Sequence, residues 1–143
     1  ESATLINKGM EIIEAHYLFN LPLSKIKTAL HRECKIHGIV EFTDGNSYCY
    51  ISKPDMREHI ENALLRSIKK APQSGKITLL NKSKYKLEKI NNKNLTGIDI
   101  VLKRFQQSPN SMKKFLEKEE KVVKKFLGGK IKFRSIFKLL KSK

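Results

Sequence analysis

Residues 35–51 read KIHGIVEFTDGNSYCYI, and this stretch decides the fold class. β-Branched and aromatic residues fill 35–42, and apolar residues alternate again over 47–51, after the Asp44-Gly45 pair. An Asp-Gly pair between two such runs is typical of a β-hairpin turn. We therefore predict an antiparallel hairpin, with shorter strand candidates at residues 27–31 and 77–80.

Apolar residues at helical spacing lie on both sides of this hairpin. The pattern predicts a helix over residues 4–20, ended by Pro22, and a second over 56–65 with Asp55 near its N-cap. Further helices are predicted over 96–105, 111–127 and 135–140. The predicted fold class is α+β: a helix, a hairpin or small sheet and a helix, followed by a lysine-rich, mostly helical C-terminal part. The predicted segments are 1–68, a basic linker 69–95 and a basic helical region 96–143.

The net charge of +16 is distributed unevenly along the chain. Residues 1–56 carry six basic and seven acidic side chains, whereas residues 57–143 carry 24 basic and seven acidic ones. Such asymmetry favours a polyanionic partner for the second part. Drift towards lysine in an AT-rich genome, with the lysines merely solvated, is the alternative. No run of about 18 apolar residues is present, so no membrane span is expected.

Several polar motifs occur in a fixed order. Residues 2–19 read SATLINKGMEIIEAHYLF, residues 40–45 read VEFTDG and residues 54–57 read PDMR; histidines stand at 31 and 37. In this order and register, residues 2–65 resemble part of the catalytic module of the 1-deoxy-D-xylulose 5-phosphate reductoisomerase family. Residues 126–133, FLGGKIKF, carry a fainter similarity to the family's C-terminal region.

The resemblance implies roles for several residues. The family binds NADPH on an N-terminal Rossmann domain and holds its substrate with a divalent metal, Mg²⁺ or Mn²⁺. By motif, Ser2, Asn7 and Lys8 match residues that hold the substrate's phosphate and hydroxyls, and Glu11 matches a metal-binding carboxylate. His37 matches a histidine beside the site, and Met56 matches a residue near the cofactor's end of the pocket.

The chain also departs from the family pattern. It contains no glycine-rich nucleotide-binding turn, and the family's other two metal carboxylates match no residue here. The family's Pro-Gln-Ser triplet is replaced by Arg32-Glu33-Cys34. We therefore expect Ser2, Asn7, Lys8, Glu11, His37 and Met56 to be relics, with no active catalytic residue and no cofactor bound by this chain.

These observations lead to the hypothesis of a non-catalytic, reductoisomerase-derived structural protein that binds RNA phosphates. A subunit of an organellar ribosome is the favoured example, with RNA and neighbouring proteins as partners and a location in the mitochondrial matrix or plastid stroma. Lysines would contact phosphates without reading bases. The candidate RNA-binding residues are basic and lie in the second part: Lys69, Lys70, Lys82, Lys84, Lys86, Lys130, Lys132, Arg134, Lys138, Lys141 and Lys143.

Two alternatives stay open. The chain could be a fragment of an active NADPH- and metal-dependent reductoisomerase of isoprenoid synthesis, or a scaffold protein that binds the authentic enzyme. A nucleotide-binding fingerprint and an acidic pair encoded upstream of Glu1 would separate the first alternative from the ribosomal hypothesis.

Overall fold

A computed structural model describes residues 2–66, 75–81, 83–90 and 96–142; the side chains of Ser2, Arg66, Thr96 and Pro109 are not described. This part of the chain contains five α-helices, and 3₁₀ turns at Ser2–Thr4 and Leu23–Lys25. The helices are α1 (Ile6–Phe19), α2 (Met56–Arg66), α3 (Thr96–Gln107), α4 (Pro109–Leu127) and α5 (Phe133–Lys141). Among the described residues, no helix combines the length and apolar composition that a membrane span requires.

The described strands form two small antiparallel sheets. They are β1 (Ala29–Leu30), β2 (Ile36–Glu41), β3 (Ser47–Ile51), β4 (Lys76–Leu79) and β5 (Glu88–Lys89). One sheet has the order β2-β3-β4 and the other pairs β1 with β5. The predicted α+β fold class, helices and hairpin are confirmed. Strand β5 was not predicted, because two residues between lysines and asparagines carry no alternating pattern.

The chain divides into two compact units, Glu1–Thr28 with Ile90–Lys143, and Ala29–Lys89. The predicted segments 1–68, 69–95 and 96–143 stay predictions; the two compact units each combine or cut across them. The first unit is discontinuous in sequence because α1, at the start of the chain, packs on α3, about 90 residues later. Hydrophobic periodicity identifies each helix but does not say which helix it packs against.

Four helices of the first unit share one hydrophobic core. Side chains from α1, α3, α4 and α5 are buried in it: Ile6, Ile13, Ile100, Val101, Phe115, Val122, Ile136 and Leu140. Helix α4 begins at a conventional cap, where the Ser108 hydroxyl accepts a hydrogen bond from the Ser111 backbone N–H at 3.1 Å and Pro109 follows at the first turn. The predicted periodicity of the C-terminal helices therefore marks a packed core.

Helices α1 and α3 approach each other closely at two glycines. A Cβ atom added at Gly9 would lie 2.8 Å from the Val101 Cβ, and one added at Gly97 would lie 1.8 Å from the Thr4 backbone oxygen. Real Cβ atoms do not approach other heavy atoms this closely, so only glycine fits the present backbone at either position. Gly97 therefore fixes the distance between α3 and the turn that leads into α1.

The second unit contains the predicted hairpin. Strands β2 and β3 pair in the register Val40–Tyr48 and Glu41–Ser47, which leaves residues 42–46 as the connection. Asp44 accepts a hydrogen bond from the Asn46 backbone N–H at 2.9 Å, and Gly45 has a φ of 87°. The Asp-Gly pair thus acts as predicted, although its turn is longer than a two-residue loop.

Candidate functional site

The residues Asn7, Lys8 and Glu11 lie together on the first two turns of α1. The buried side of this helix carries Ile6, Gly9, Ile12 and Ile13. Positions three and four apart are neighbours on a helix surface, so Glu11 lies within reach of both Lys8 and Asn7. Asn7, Lys8 and Glu11 therefore form one contiguous polar surface, and the opposite side of α1 packs into the core of the first unit.

Hydrogen bonds connect these three side chains. The Asn7 amide Nδ2 donates to Glu11 Oε1 at 2.9 Å, and the Lys8 ammonium Nζ bonds and ion-pairs with Glu11 Oε2. The Lys8 and Glu11 side chains are 45% and 42% exposed, so an incoming ligand can reach both groups. An ammonium and an amide are suitable donors for phosphate or hydroxyl oxygens, because both supply N–H groups and the ammonium adds charge.

The backbone that leads into this surface is constrained. Leu5 precedes α1 in the left-handed conformation, with a φ of 58°, which is uncommon for a residue other than glycine. Thr4 is buried, and its hydroxyl accepts from the Ile6 backbone N–H at 3.4 Å. Gly97 lies against the Thr4 backbone. Thr4 and Gly97 were not predicted to serve the site; a glycine inside the helical pattern of α3 was the available signal.

The donor set on α1 is incomplete for the divalent metal that the resemblance implies. Mg²⁺ requires near-octahedral oxygen coordination. Glu11 offers one carboxylate, and the described residues contain no group of three or more His, Cys, Asp or Glu side chains placed to hold a metal. These residues alone therefore do not fit a complete Mg²⁺ or Mn²⁺ site. The sequence also lacks a glycine-rich nucleotide-binding turn for NADPH.

The remaining residues implied by the resemblance fall elsewhere. His37 lies on β2 and Met56 at the start of α2, both in the second unit. The Met56 side chain is 65% exposed, and the His37 ring contacts the rings of Tyr50 and His59. Ser2 lies in the first 3₁₀ turn, and its side chain is outside the described part. The roles implied for Ser2, Asn7, Lys8, Glu11, His37 and Met56 stay predictions.

The described candidate RNA-binding residues have an ordinary structural explanation on α5. Arg134, Lys138 and Lys141 lie at helical spacing and are exposed, whereas Ile136 and Leu140 are buried. These residues therefore form the solvated face of an amphipathic helix.

The other candidates fall in loops or outside the described residues. Lys130 and Lys132 are exposed in the connection between α4 and α5. The Lys84 ammonium Nζ lies 5.5 Å from the Tyr85 ring centroid, and the Lys86 Nζ lies 4.0 Å from Glu88 Oε1. Lys69, Lys70, Lys82 and Lys143 lie outside the described residues.

Other basic residues stabilise the fold directly. The Lys118 ammonium donates to the Ser142 backbone oxygen at 2.6 Å, and an Arg104 guanidinium nitrogen donates to the same oxygen at 3.1 Å. Both satisfy a carbonyl at the C-terminal end of α5, where cations also interact favourably with the helix dipole. On α4, the Lys124 Nζ forms an ion pair with Glu120 Oε1, one turn away, at a distance of 2.6 Å. Lys118, Arg104 and Lys124 thus bind acceptors within the first unit.

Comparison with known proteins identifies the family. Residues 51–143 match the family model described as the DXP reductoisomerase C-terminal domain. The chain is 35% identical, over 98% of its length, to the 1-deoxy-D-xylulose 5-phosphate reductoisomerase of Lachnoclostridium phytofermentans, and it spans 36% of that relative. It is 60% identical to the Persephonella marina reductoisomerase over 57 residues, which are 40% of this chain and 15% of that relative.

A solved structure shows the same fold. The reductoisomerase from Zymomonas mobilis, in complex with NADPH, superimposes with a TM-score of 0.79 at 30% identity, covering 97% of this chain and 37% of that one. The chain thus spans little more than a third of the length of the relatives that it matches throughout.

These findings correct one prediction and confirm another. The hypothesis of an RNA-binding subunit of an organellar ribosome, with RNA and ribosomal proteins as partners, was wrong, because the relatives and structural neighbours are reductoisomerases. The predicted resemblance to the reductoisomerase family, over residues 2–65 with a fainter similarity at 126–133, is confirmed, and the family model matches residues 51–143. The chain belongs to the 1-deoxy-D-xylulose 5-phosphate reductoisomerase family.

Proposed function

We propose that this chain forms the C-terminal part of a 1-deoxy-D-xylulose 5-phosphate reductoisomerase of isoprenoid synthesis and supplies α1 to its substrate site. The observation that carries the proposal is the convergence of Asn7, Lys8 and Glu11 on one exposed surface of a helix whose opposite side is buried. The family membership given by residues 51–143 supports the substrate class.

In this proposal, Lys8 and Asn7 bind and orient the substrate, which carries a phosphate and hydroxyls. Without ligand, both donors are bonded to Glu11, which holds them in one orientation. When substrate oxygens replace the Glu11 carboxylate as acceptors, the carboxylate becomes available to other groups. A charged hydrogen bond of this kind contributes about 1.5–3 kcal/mol.

Catalysis requires groups that the described residues do not provide. Hydride transfer is the chemistry that NADPH supplies, and a carboxylate set larger than Glu11 is required for a divalent metal. The proposal therefore assigns binding and positioning to this chain, and assigns cofactor binding to the part of the enzyme that its relatives have and this sequence does not show. The predicted organellar location stays a prediction.

A chimeric enzyme tests the proposal. The segment of the Lachnoclostridium phytofermentans reductoisomerase that matches this chain is replaced by residues 1–143, and NADPH oxidation is followed with 1-deoxy-D-xylulose 5-phosphate. We expect activity, and we expect Lys8→Ala to lower kcat/KM by roughly tenfold to a hundredfold, equivalent to the loss of one charged hydrogen bond.

Two controls sharpen the test. Lys8→Arg keeps a cationic donor and should retain most of the activity, and Lys27→Ala removes an exposed lysine outside α1 and should change nothing. A folded chimera that is inactive, or one whose activity is insensitive to Lys8→Ala, would contradict the proposal.

A further inference from the structure

Two histidines of the second unit face each other beside a tyrosine. The His37 ring on β2 and the His59 ring on α2 have their centroids 4.8 Å apart at an interplanar angle of 63°. The Tyr50 ring on β3 lies 5.7 Å from His59 and 6.2 Å from His37. A helix and two strands thus bring their rings to one place, which no motif spacing in the sequence indicates.

A hydrogen bond fixes the orientation of the His59 ring. The Ser52 hydroxyl donates its hydrogen to the Lys53 backbone oxygen at 3.0 Å and lies 3.1 Å from His59 Nε2. Because a hydroxyl can donate and accept at once, Ser52 can accept from His59 Nε2 while it donates to Lys53. In the His59 tautomer that carries its proton on Nε2, Nδ1 holds the free lone pair. Ser52 is only 9% exposed, so the acceptor is held firmly.

This arrangement has the form of a metal-binding histidine and its supporting residue. A histidine that binds a metal through one nitrogen usually donates its other N–H to an acceptor that orients the ring. Ser52 fills that position for His59.

The distance between the two rings also suits a shared ion. A metal–nitrogen bond of about 2.1 Å places each ring centroid about 3.3 Å from the ion. If the nitrogen–metal–nitrogen angle lies between a right angle and the tetrahedral angle, the two ring centroids are therefore roughly 4.6–5.3 Å apart. The observed 4.8 Å falls within this range.

We propose that His37 and His59 form a two-histidine site for a divalent transition-metal ion of the Zn²⁺ and Cu²⁺ class, with water completing the coordination. Neutral imidazole is a preferred ligand of these ions. The ion would join α2 to the sheet in a unit where Cys49 is the one buried hydrophobic residue among those described. Metal binding of this kind stabilises the folded state, because the unfolded chain does not hold the two ligands together.

The test uses the full chain, freed of metal by a chelator, and ZnCl₂ or CuCl₂ as the probe. Isothermal titration should show one saturable ion per chain, and Zn²⁺ should raise the melting temperature of the second unit. His37→Gln and His59→Gln should each weaken binding by more than about tenfold, and Ser52→Ala by about tenfold through loss of the ring orientation.

His31→Gln is the matched control, because it removes a histidine of the same unit whose ring contacts Tyr85 and whose Nδ1 lies 3.3 Å from the Lys86 oxygen. It should leave the affinity unchanged. Electron paramagnetic resonance of the Cu²⁺ complex should show coupling to two imidazole nitrogens. Binding that His37→Gln and His59→Gln leave unaltered, coupling to one imidazole alone, or no saturable site would overturn the proposal. None of these measurements depends on reductoisomerase activity.

Discussion

The first unit contains ten of the eleven buried hydrophobic side chains found among the described residues, whereas the second unit contains Cys49 alone. The second unit is instead formed by ladder hydrogen bonds, a small cluster of rings and short-range polar contacts. The candidate substrate-binding residues Asn7, Lys8 and Glu11 lie on a helix of the first unit. A site that must hold donors in fixed positions is best built on a packed element, and α1 meets that requirement.

The largest expected effect is in the core of the first unit. Phe115 on α4 is 2% exposed, so Phe115→Ala should reduce the free energy of unfolding by about 3–5 kcal/mol through lost burial and a cavity. Urea unfolding followed by NMR signals from each unit measures the loss. Leu127→Ala, at a side chain 76% exposed, should change the stability by less than about 0.5 kcal/mol. Equal effects of the two substitutions would remove the contrast between core and surface.

The second prediction concerns the close approach of α3 to the start of α1. Gly97→Ala places a methyl group against the Thr4 backbone, which cannot rotate away, so the helices must separate at a cost of roughly 1–3 kcal/mol. Gly38→Ala in β2 meets no atom within 4 Å and serves as the control in the other unit. Thermal unfolding of both variants is the measurement. A Gly97→Ala variant whose melting temperature equals that of the parent would show that α1 is not held at this point.

A smaller effect is expected at the hairpin of the second unit. Gly45 has a φ of 87°, and an alanine in a left-handed conformation costs about 1 kcal/mol. Gly45→Asn should cost less, because asparagine tolerates this region better. Chemical denaturation of the two variants gives the ranking, and a Gly45→Ala variant as stable as the parent would indicate that the turn adopts another conformation.

The smallest effect is electrostatic. Hydrogen bonds from the Arg57 side chain and backbone lower the pKa of Asp55 to about 2. Because the folded pKa lies below the unfolded one, Asp55 contributes stability above about pH 4, and this contribution is lost as the pH falls towards 2.

Carbon NMR of the Asp55 carboxyl measures this titration. Arg57→Gln should raise the pKa of Asp55 towards its ordinary value, while the backbone hydrogen bond from residue 57 keeps part of the shift. Arg32→Gln, which removes the partner of Glu88 instead, should leave the Asp55 titration unchanged.

Local sequence patterns predicted most of the secondary structure. The Asp44-Gly45 pair predicted the hairpin, Asp55 the start of α2, and the apolar spacing of residues 96–140 the three C-terminal helices. Each prediction succeeded because the cause lies within a few residues of the effect. The net charge, in contrast, led to a wrong function, because composition reports neither where lysines point nor what Lys118 and Arg104 bind.

The sequence by itself determined the elements, the family resemblance over residues 2–65 and the grouping of Asn7, Lys8 and Glu11, since a helix brings positions three and four apart together. Only the tertiary structure decided that α1 packs on α3 through Gly9 and Gly97, and that His37 meets His59 beside Ser52. The contacts between α1 and α3 join residues 92 and 93 positions apart, and His37 and His59 are 22 positions apart; periodicity carries no information about such pairings.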